Sequence, residues 1–119
     1  MIVYDTETLN CKTVALTLSL DAEFIEDIDL KEKAMLITYT SGRGKASKST
    51  LKFLKKYHHL IVGVVVSGEA RYKSWAWRAA EIITKKYPHI KLVLKIEKQG
   101  TDQDLLTIKA WYEQTIGAL

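Results

Sequence analysis

Short apolar runs alternate with amphipathic segments along the chain, and this alternation is typical of strands that are each followed by a helix. Buried strands are predicted at residues 2–4, 34–39 and 60–66, where polar interruptions are few. Residues 24–28 predict a short acidic edge strand. Residues 90–96 alternate in their second half and predict a more peripheral strand.

Four helices are predicted between and after these strands. Residues 10–20 have mixed periodicity and are interpreted as a helix, and a lysine-rich amphipathic helix is predicted to begin near Ser47. An apolar stripe over residues 76–87 predicts the third helix, and Thr101 followed by Asp102 is a typical start for the fourth. Alternating strands and helices favour a three-layer α/β fold, in which helices cover both faces of a doubly wound parallel sheet.

Length and composition are those of one domain covering residues 1–119, because 119 residues with 47% apolar side chains support a single core. The longest apolar run, residues 60–66, is too short to cross a bilayer, and no leader-like segment precedes the first strand. The single cysteine, Cys11, excludes an internal disulfide framework. We therefore expect a cytoplasmic protein with no membrane partner.

Charge is distributed unevenly along the chain, which narrows the classes of partner. Residues 1–32 hold eight acidic and two basic side chains, whereas residues 33–119 hold six acidic and sixteen basic ones. A basic surface attracts phosphate, an acidic protein or nucleic acid, although most surface lysines simply keep a protein soluble. Nucleic acid is not expected, since the chain has no recognisable nucleic-acid-binding module.

Three polar loops each follow a predicted strand, and they lie at residues 6–10, 40–44 and 67–72. The carboxyl ends of parallel strands meet at one edge of the sheet, where open α/β proteins bind their ligands. In the first loop, Thr6, Thr8 and Asn10 precede a predicted helix, whose positive end attracts phosphate. The same residue types also serve as ordinary helix caps, so this loop alone leaves both interpretations open.

The second and third loops carry a more specific pattern. The chain resembles the NrdI family in Thr38-Tyr39-Thr40-Ser41-Gly42-Arg43-Gly44 and in Ser67-Gly68, which match Thr-Tyr-Thr-x-Gly-x-Gly and the start of Ser-Gly-Asn-Arg-Asn-Trp-Gly. The resemblance spans nearly the whole chain. It implies a flavodoxin-like fold with a five-stranded parallel sheet in the order 2-1-3-4-5, and FMN as the cofactor.

Members of this family are small FMN proteins that serve class Ib ribonucleotide reductases, and the resemblance implies the same role here. Reduced FMN would supply superoxide or peroxide made from oxygen, or electrons, to activate the dimanganese-tyrosyl radical cofactor of the reductase small subunit. The chain would then be an accessory activator with no catalytic side chain, because the flavin carries the redox chemistry. The reductant of the flavin stays unknown.

The resemblance also implies FMN-binding residues in all three loops. They are Thr6, Glu7, Thr8, Leu9, Asn10 and Cys11 around the phosphate turn, Thr40, Ser41, Gly42, Arg43 and Gly44 beside the ring, and Ser67, Gly68, Tyr72 and Gly100 on the remaining side. Tyr72 stands where the family has the Trp that stacks on the ring, and an aromatic face there preserves the stacking.

Several positions depart from the family pattern. Leu9 and Lys73 stand where the family has Gly, and residues 69–71 and 99–101 replace Asn-Arg-Asn and Ser-Gly-Thr. If the first of these positions needs a left-handed backbone, Leu9 costs roughly 1–2 kcal/mol. An alternative function is therefore a flavin-free flavodoxin-like module whose basic loop end binds an acidic partner or phosphate.

Five basic residues are predicted to lie at the ligand end of the sheet, in place of the acidic rim that is common in electron-carrying flavodoxins. They are Arg43, Lys45, Arg71, Lys73 and Lys98. Positive charge favours the anionic form of two-electron-reduced FMN and attracts superoxide. We therefore expect a flavin that reacts with oxygen rather than one that shuttles single electrons.

Four other features have simpler interpretations. Cys11 is interpreted as a small buried side chain, and His58-His59 as a helix end rather than a metal site. Trp77 is predicted to be an exposed partner contact. Asp5 ends the first strand, as in phosphorelay receiver domains, but the next core strand lacks the phosphoacceptor Asp that this function requires.

Overall fold

A six-stranded sheet forms the centre of the computed structural model, which describes residues 1–26 and 28–119. The strands are β1 (Ile2–Tyr4), β2 (Glu23–Phe24), β3 (Ala34–Ser41), β4 (Lys45–Ala46), β5 (Ile61–Gly68) and β6 (Lys91–Glu97). Five of them are parallel in the order β2-β1-β3-β5-β6, which confirms the predicted order of the parallel strands, whereas the predicted count of five strands is too low by one. The additional strand β4 pairs antiparallel with the end of β3 after a tight turn.

Helices cover both faces of this sheet, which confirms the predicted three layers. They are α1 (Asn10–Leu18), α2 (Lys48–Tyr57), α3 (Arg78–Lys86) and α4 (Asp102–Thr115). The apolar sides of α2 and α3 pack on one face, and those of α1 and α4 pack on the other. None of the helices in the described residues has both the length and the apolar composition needed to traverse a bilayer.

The helix starts predicted at Ser47 and Thr101 are capped. The Ser47 hydroxyl accepts a hydrogen bond from the backbone N–H of Thr50 at 3.3 Å, at the start of α2. The Thr101 hydroxyl accepts a hydrogen bond from the backbone N–H of Asp104 at 3.1 Å, and the Asp104 carboxylate accepts one from the backbone N–H of Thr101 at 2.9 Å, which makes a capping box for α4. These caps define where the preceding loops end.

β3 and β5 are buried on both faces, which explains why their sequences are nearly continuous apolar runs. Leu36 and Val64 belong to the apolar cluster under α2 and α3, whereas Ile37 and Val65 belong to the cluster under α1 and α4. All four side chains are fully buried. This core holds the carboxyl ends of β3 and β5 side by side, where the polar loops begin.

The predicted strand at residues 24–28 is wrong in its extent. β2 is limited to Glu23–Phe24, and the Phe24 ring stacks on Tyr4 with the ring centroids 5.7 Å apart. The chain then turns at Ile25 and Glu26, so pairing with β1 stops there, and Asp27 lies outside the described residues.

Trp77 is not exposed, so the prediction of an exposed partner contact at this residue is wrong. Its side chain packs beside the apolar cluster under α2 and α3, and its indole N–H donates to the carbonyl of Ile96 at 2.8 Å. The ring can enter the interior because its polar atom finds a partner there. Trp75 is the exposed tryptophan instead, with 46% of its surface accessible.

Candidate functional site

The loops that follow β1, β3, β5 and β6 surround a cleft of about 590 Å³ at the carboxyl edge of the sheet. This volume is within the range of roughly 300–1,000 Å³ that is usual for small-molecule sites. The residues implied by the family resemblance that line it are Thr6, Glu7, Thr8, Asn10, Cys11, Thr40, Ser41, Gly42, Arg43, Gly44, Ser67, Gly68 and Tyr72. Leu9 does not line the cleft, and Gly100 lines a neighbouring depression of about 410 Å³.

The first loop presents a polar atom that has no protein partner. The hydroxyl oxygen of Thr6 is buried and makes no hydrogen bond to any described residue, although it lies in a loop that lines the cleft. The helix that follows, α1, starts without a side-chain cap. The interpretation of these polar residues as ordinary caps of α1 is therefore wrong.

Leu9 adopts the backbone that the family pattern reserves for glycine. Its φ and ψ are 70° and −6°, in the left-handed region, and its side chain is 61% exposed. The substitution thus leaves the turn in its glycine-like shape and places the bulk of the leucine in solvent. Lys73, at the second substituted glycine, also keeps a positive φ of 54° with ψ of −123°.

Replacing Leu9 by glycine is expected to raise the free energy of unfolding by about 1 kcal/mol. Release of left-handed strain outweighs the greater backbone entropy that glycine loses on folding. The matched control is Leu20→Gly, because Leu20 is 89% exposed and does not have a positive φ. Urea unfolding should show a gain for Leu9→Gly and a loss for Leu20→Gly; equal losses would contradict strain at Leu9.

The second loop makes a tight turn against α3. The backbone of residues 42–44 forms a short 3-10 turn in which Arg43 and Gly44 have φ values of 57° and 76°. A Cβ on Gly44 would approach Arg78 and Trp75 to 3.0 and 3.3 Å, so glycine permits close packing here. The Thr40 hydroxyl accepts a hydrogen bond from the backbone N–H of Ala79 at 3.2 Å.

The third loop is held by ionic and polar contacts. The Arg71 guanidinium donates to the Glu69 carboxylate at 3.1 Å and to the Tyr72 hydroxyl at 3.0 Å. The ammonium of Lys98 lies 4.0 Å from the other Glu69 oxygen, and the Ser67 hydroxyl donates to the carbonyl of Lys98 at 2.6 Å. The loop after β5 is therefore tied to the loop after β6.

Behind the first two loops lies a buried polar network. The Asp5 carboxylate accepts hydrogen bonds from the hydroxyls of Ser47 and Thr50 at 2.6 and 2.8 Å, and the Thr38 hydroxyl shares a bond of 2.7 Å with that of Thr50. Asp5 is 3% exposed. Its carboxylate thus fastens the end of β1 to the start of α2, which is a structural role rather than that of a receiver-domain acid.

Two titratable groups line the cleft close to this network. Burial, with a smaller contribution from the Asp5 carboxylate, raises the pKa of the Cys11 thiol to about 12. The thiol therefore stays protonated at neutral pH and is a buried side chain, as predicted, rather than a nucleophile. Burial also raises the pKa of the Tyr39 phenol.

Four residues that line the cleft are not predicted from the sequence, and they are Tyr39, Glu69, Trp75 and Ala76. Of the five basic residues predicted at the ligand end of the sheet, Arg43, Arg71 and Lys98 line the cleft, whereas Lys45 and Lys73 do not. Tyr39 could have been found from strand alternation, because it shares the face of Ile37 towards α1. Trp75 gives no comparable signal, since it lies in an irregular loop where periodicity does not indicate side-chain direction.

The histidines lie at the opposite end of the sheet. His58 follows the last residue of α2, as expected for a helix end, and its ring stacks on Tyr87 with the centroids 4.7 Å apart. Within residues 1–26 and 28–119, no group of three or more His, Cys, Asp or Glu side chains is arranged to hold a metal ion. The interpretation as a helix end is therefore confirmed for His58.

Comparison with known proteins gives consistent matches along the chain. A family model described as NrdI flavodoxin-like matches residues 2–110. Protein NrdI of Deinococcus radiodurans is 32% identical over 114 residues, which cover 92% of this chain and 80% of that protein. The SPbeta prophage-derived protein NrdI of Bacillus subtilis is 36% identical over 110 residues, which cover 88% and 84% of the two chains.

Solved flavodoxin structures share the fold. A short-chain flavodoxin associated with a PDU bacterial microcompartment superposes with a TM-score of 0.73 at 19% identity, covering 94% of this chain and 92% of that one. Flavodoxin 1 from Bacillus cereus gives a TM-score of 0.71 at 17% identity, covering 99% and 97%. At these identities the likeness concerns the fold alone.

Proposed function

The chain belongs to the NrdI flavodoxin-like family, and from this premise we propose that it binds FMN in the cleft and helps to activate a class Ib ribonucleotide reductase. When bound, FMN would supply the redox chemistry by which superoxide or peroxide is made for the dimanganese-tyrosyl radical cofactor of the small subunit. The chain's own residues would bind the flavin, orient it and set the charge around it.

The observation that carries this proposal is the unpartnered Thr6 hydroxyl in the first loop. A buried polar atom without a partner is costly, and it becomes favourable when a ligand oxygen completes its hydrogen bond. The phosphate of FMN supplies such oxygens, and the uncapped start of α1 adds a positive helix end beside Thr8 and Asn10. Leu9 leaves this arrangement open because its side chain is exposed outside the cleft.

The flat ring would lie between the second and third loops. Gly42 and Gly44 on one wall and Ser67 and Gly68 on the other offer backbone and small side chains, which allow close approach to a planar ligand. Tyr39 would contribute an apolar ring at the base of the cleft, since its side chain packs beside the core cluster under α1 and α4.

Charge at the cleft favours a negatively charged ligand. Arg43, Arg71 and Lys98 line it together with Glu7 and Glu69, so the lining carries a net charge of +1 in addition to the positive end of α1. This balance favours the anionic form of two-electron-reduced FMN. A partner protein that met this end of the sheet would face the cations Arg43, Arg71 and Lys98, and an acidic surface on the reductase small subunit is the complement that we propose.

Titration with FMN tests the proposal, and Thr6→Val is the informative variant. We expect the unaltered protein to bind FMN with quenching of flavin fluorescence, and Thr6→Val to weaken binding about tenfold or more through loss of a hydrogen bond to a charged group. The stability of Thr6→Val without FMN should not fall, because the hydroxyl has no protein partner.

The matched control is Thr17→Val. The Thr17 hydroxyl is exposed on α1 and bonds to the carbonyl of Thr13 at 2.7 Å, so FMN affinity should not change. Absence of FMN binding by the unaltered protein would contradict the proposal. If inorganic phosphate nevertheless bound and protected the fold, the alternative of a flavin-free phosphate-binding module would be supported.

A further inference from the structure

Three aromatic residues line the cleft, and two of them, Tyr72 and Trp75, lie three residues apart in the third loop, whereas Tyr39 belongs to β3. Tyr72 is 50% exposed and Trp75 is 46% exposed. The family pattern assigns the ring-stacking position to Tyr72, whereas Trp75 has no counterpart in that pattern. Because large aromatic surfaces are costly to leave in water, both side chains are candidates to be covered by a flat ligand.

The Tyr72 ring is already engaged by a neighbouring side chain. The guanidinium carbon of Arg71 lies 4.9 Å from the centroid of the Tyr72 ring, and the same guanidinium donates to the Tyr72 hydroxyl at 3.0 Å. Glu69 fixes the guanidinium from its other side at 3.1 Å. A flavin that stacked on this face of Tyr72 would have to displace Arg71 from two polar contacts and a cation–π contact.

Trp75 has no such engagement among the described residues. Its ring forms no aromatic pair, cation–π contact or hydrogen bond within residues 1–26 and 28–119. Its base lies against the second loop, since a Cβ on Gly44 would come within 3.3 Å of the Trp75 Cβ. Trp75 therefore stands at the junction of the two loops between which a flat ring would lie.

We propose that Trp75 is the side chain on which the flavin ring stacks, and that the Glu69–Arg71 ion pair fixes the side chain of Tyr72 at the edge of the cleft. This inference rests on the proposed binding of FMN. It makes Trp75 a specificity-determining residue for a planar ligand, and it moves the stacking contact three residues along the loop from the family position.

Three variants distinguish the contribution of Trp75 to FMN affinity from that of Tyr72. We expect Trp75→Ala to weaken FMN binding about tenfold, as loss of a stacking partner does for planar bases, and Trp75→Phe to restore part of the affinity. Tyr72→Ala should weaken binding by a smaller factor than Trp75→Ala. Urea unfolding without FMN checks that each variant is folded, and Trp75→Phe keeps the comparison valid if the alanine variant is unstable.

Flavin fluorescence supplies a second measurement that a merely structural role of Trp75 would not change. An indole stacked on a flavin quenches its emission, so bound FMN should be brighter in Trp75→Phe than in the unaltered protein. Affinity that depends on Tyr72 and not on Trp75, with no change in brightness, would overturn the inference while leaving FMN binding intact. Failure of the unaltered protein to bind FMN would overturn both the inference and the proposed function.

Discussion

Gly68→Ala is expected to lower the free energy of unfolding by about 3 kcal/mol, near the upper end for overpacked substitutions. A Cβ at this position would come within 1.9 Å of the Ala76 carbonyl oxygen and 3.1 Å of the Trp77 indole nitrogen. The obstacle is backbone rather than the end of a flexible side chain. The loop from residue 69 to residue 76 would therefore have to move away from β5.

This movement would affect both stability and the cleft. The Trp77 indole N–H that bonds to the Ile96 carbonyl would be displaced, so a partly buried hydrogen bond is lost together with the packing. Ala76 and Trp75 also line the cleft, so the wall formed by the third loop would shift. FMN affinity should fall in the same variant, because its proposed ring contact lies in the displaced segment.

The matched control for this prediction is Gly42→Ala. A Cβ on Gly42 would have no atom within 4 Å, and its φ lies outside the positive range, so the free energy of unfolding should change by less than about 0.5 kcal/mol. Urea unfolding of both variants gives the comparison. Equal urea midpoints for Gly68→Ala and Gly42→Ala would contradict the prediction, because they would mean that the third loop moves away from the new methyl group with no loss of stability.

Most of the fold could be predicted because its strands are buried on both faces. Continuous apolar runs locate β3 and β5 to within two residues at each end, and the caps at Ser47 and Thr101 locate two helix starts. The edge of the sheet was less predictable. β2 has only two residues, both exposed, so no burial pattern limits it, and the additional strand β4 depends on a turn that residues 42–44 make after β3.

The residues of the candidate site could be predicted where a sequence motif lies at the end of a strand. They could be predicted less well in the third loop, whose backbone is irregular. Thr6, Thr40 and Ser67 each lie at or just beyond the carboxyl end of a strand, so the topology brings them to one cleft. The directions of Trp75 and Trp77 depend on the unusual backbone of Lys73, which breaks the helical turn between residues 70 and 75. Side-chain periodicity does not reveal such a break, so the sequence favours Trp77 as the exposed tryptophan although Trp75 is the exposed one.

The substituted glycines bear on how far this chain departs from its family. Leu9 and Lys73 both have positive φ values, which glycine adopts without strain, so each of these loops carries local backbone strain. A strained backbone persists where the surrounding structure holds it in place. Near Lys73, the backbone N–H of Ala76 donates to the Lys73 carbonyl at 3.1 Å and continues the short helical turn.

Asp5→Ala is expected to lower the free energy of unfolding by about 3 kcal/mol, because it leaves two buried hydroxyl donors without their shared acceptor. Ser47 and Thr50 donate to the Asp5 carboxylate at 2.6 and 2.8 Å, and both are almost completely buried. The loss also loosens the start of α2, whose cap is Ser47. The second loop, which ends at this cap, would then be less well fixed beside the cleft.

Two variants show whether this loss comes from the buried network. Asp5→Asn keeps the size and one acceptor oxygen, so its loss should be about half that of Asp5→Ala. Asp21→Ala removes an exposed aspartate and should change the free energy of unfolding by less than about 0.5 kcal/mol. Urea unfolding at neutral pH measures all three. If Asp5→Ala lost no more than Asp21→Ala, the hydroxyls of Ser47 and Thr50 would have other acceptors, and the carboxylate would not be what joins β1 to α2.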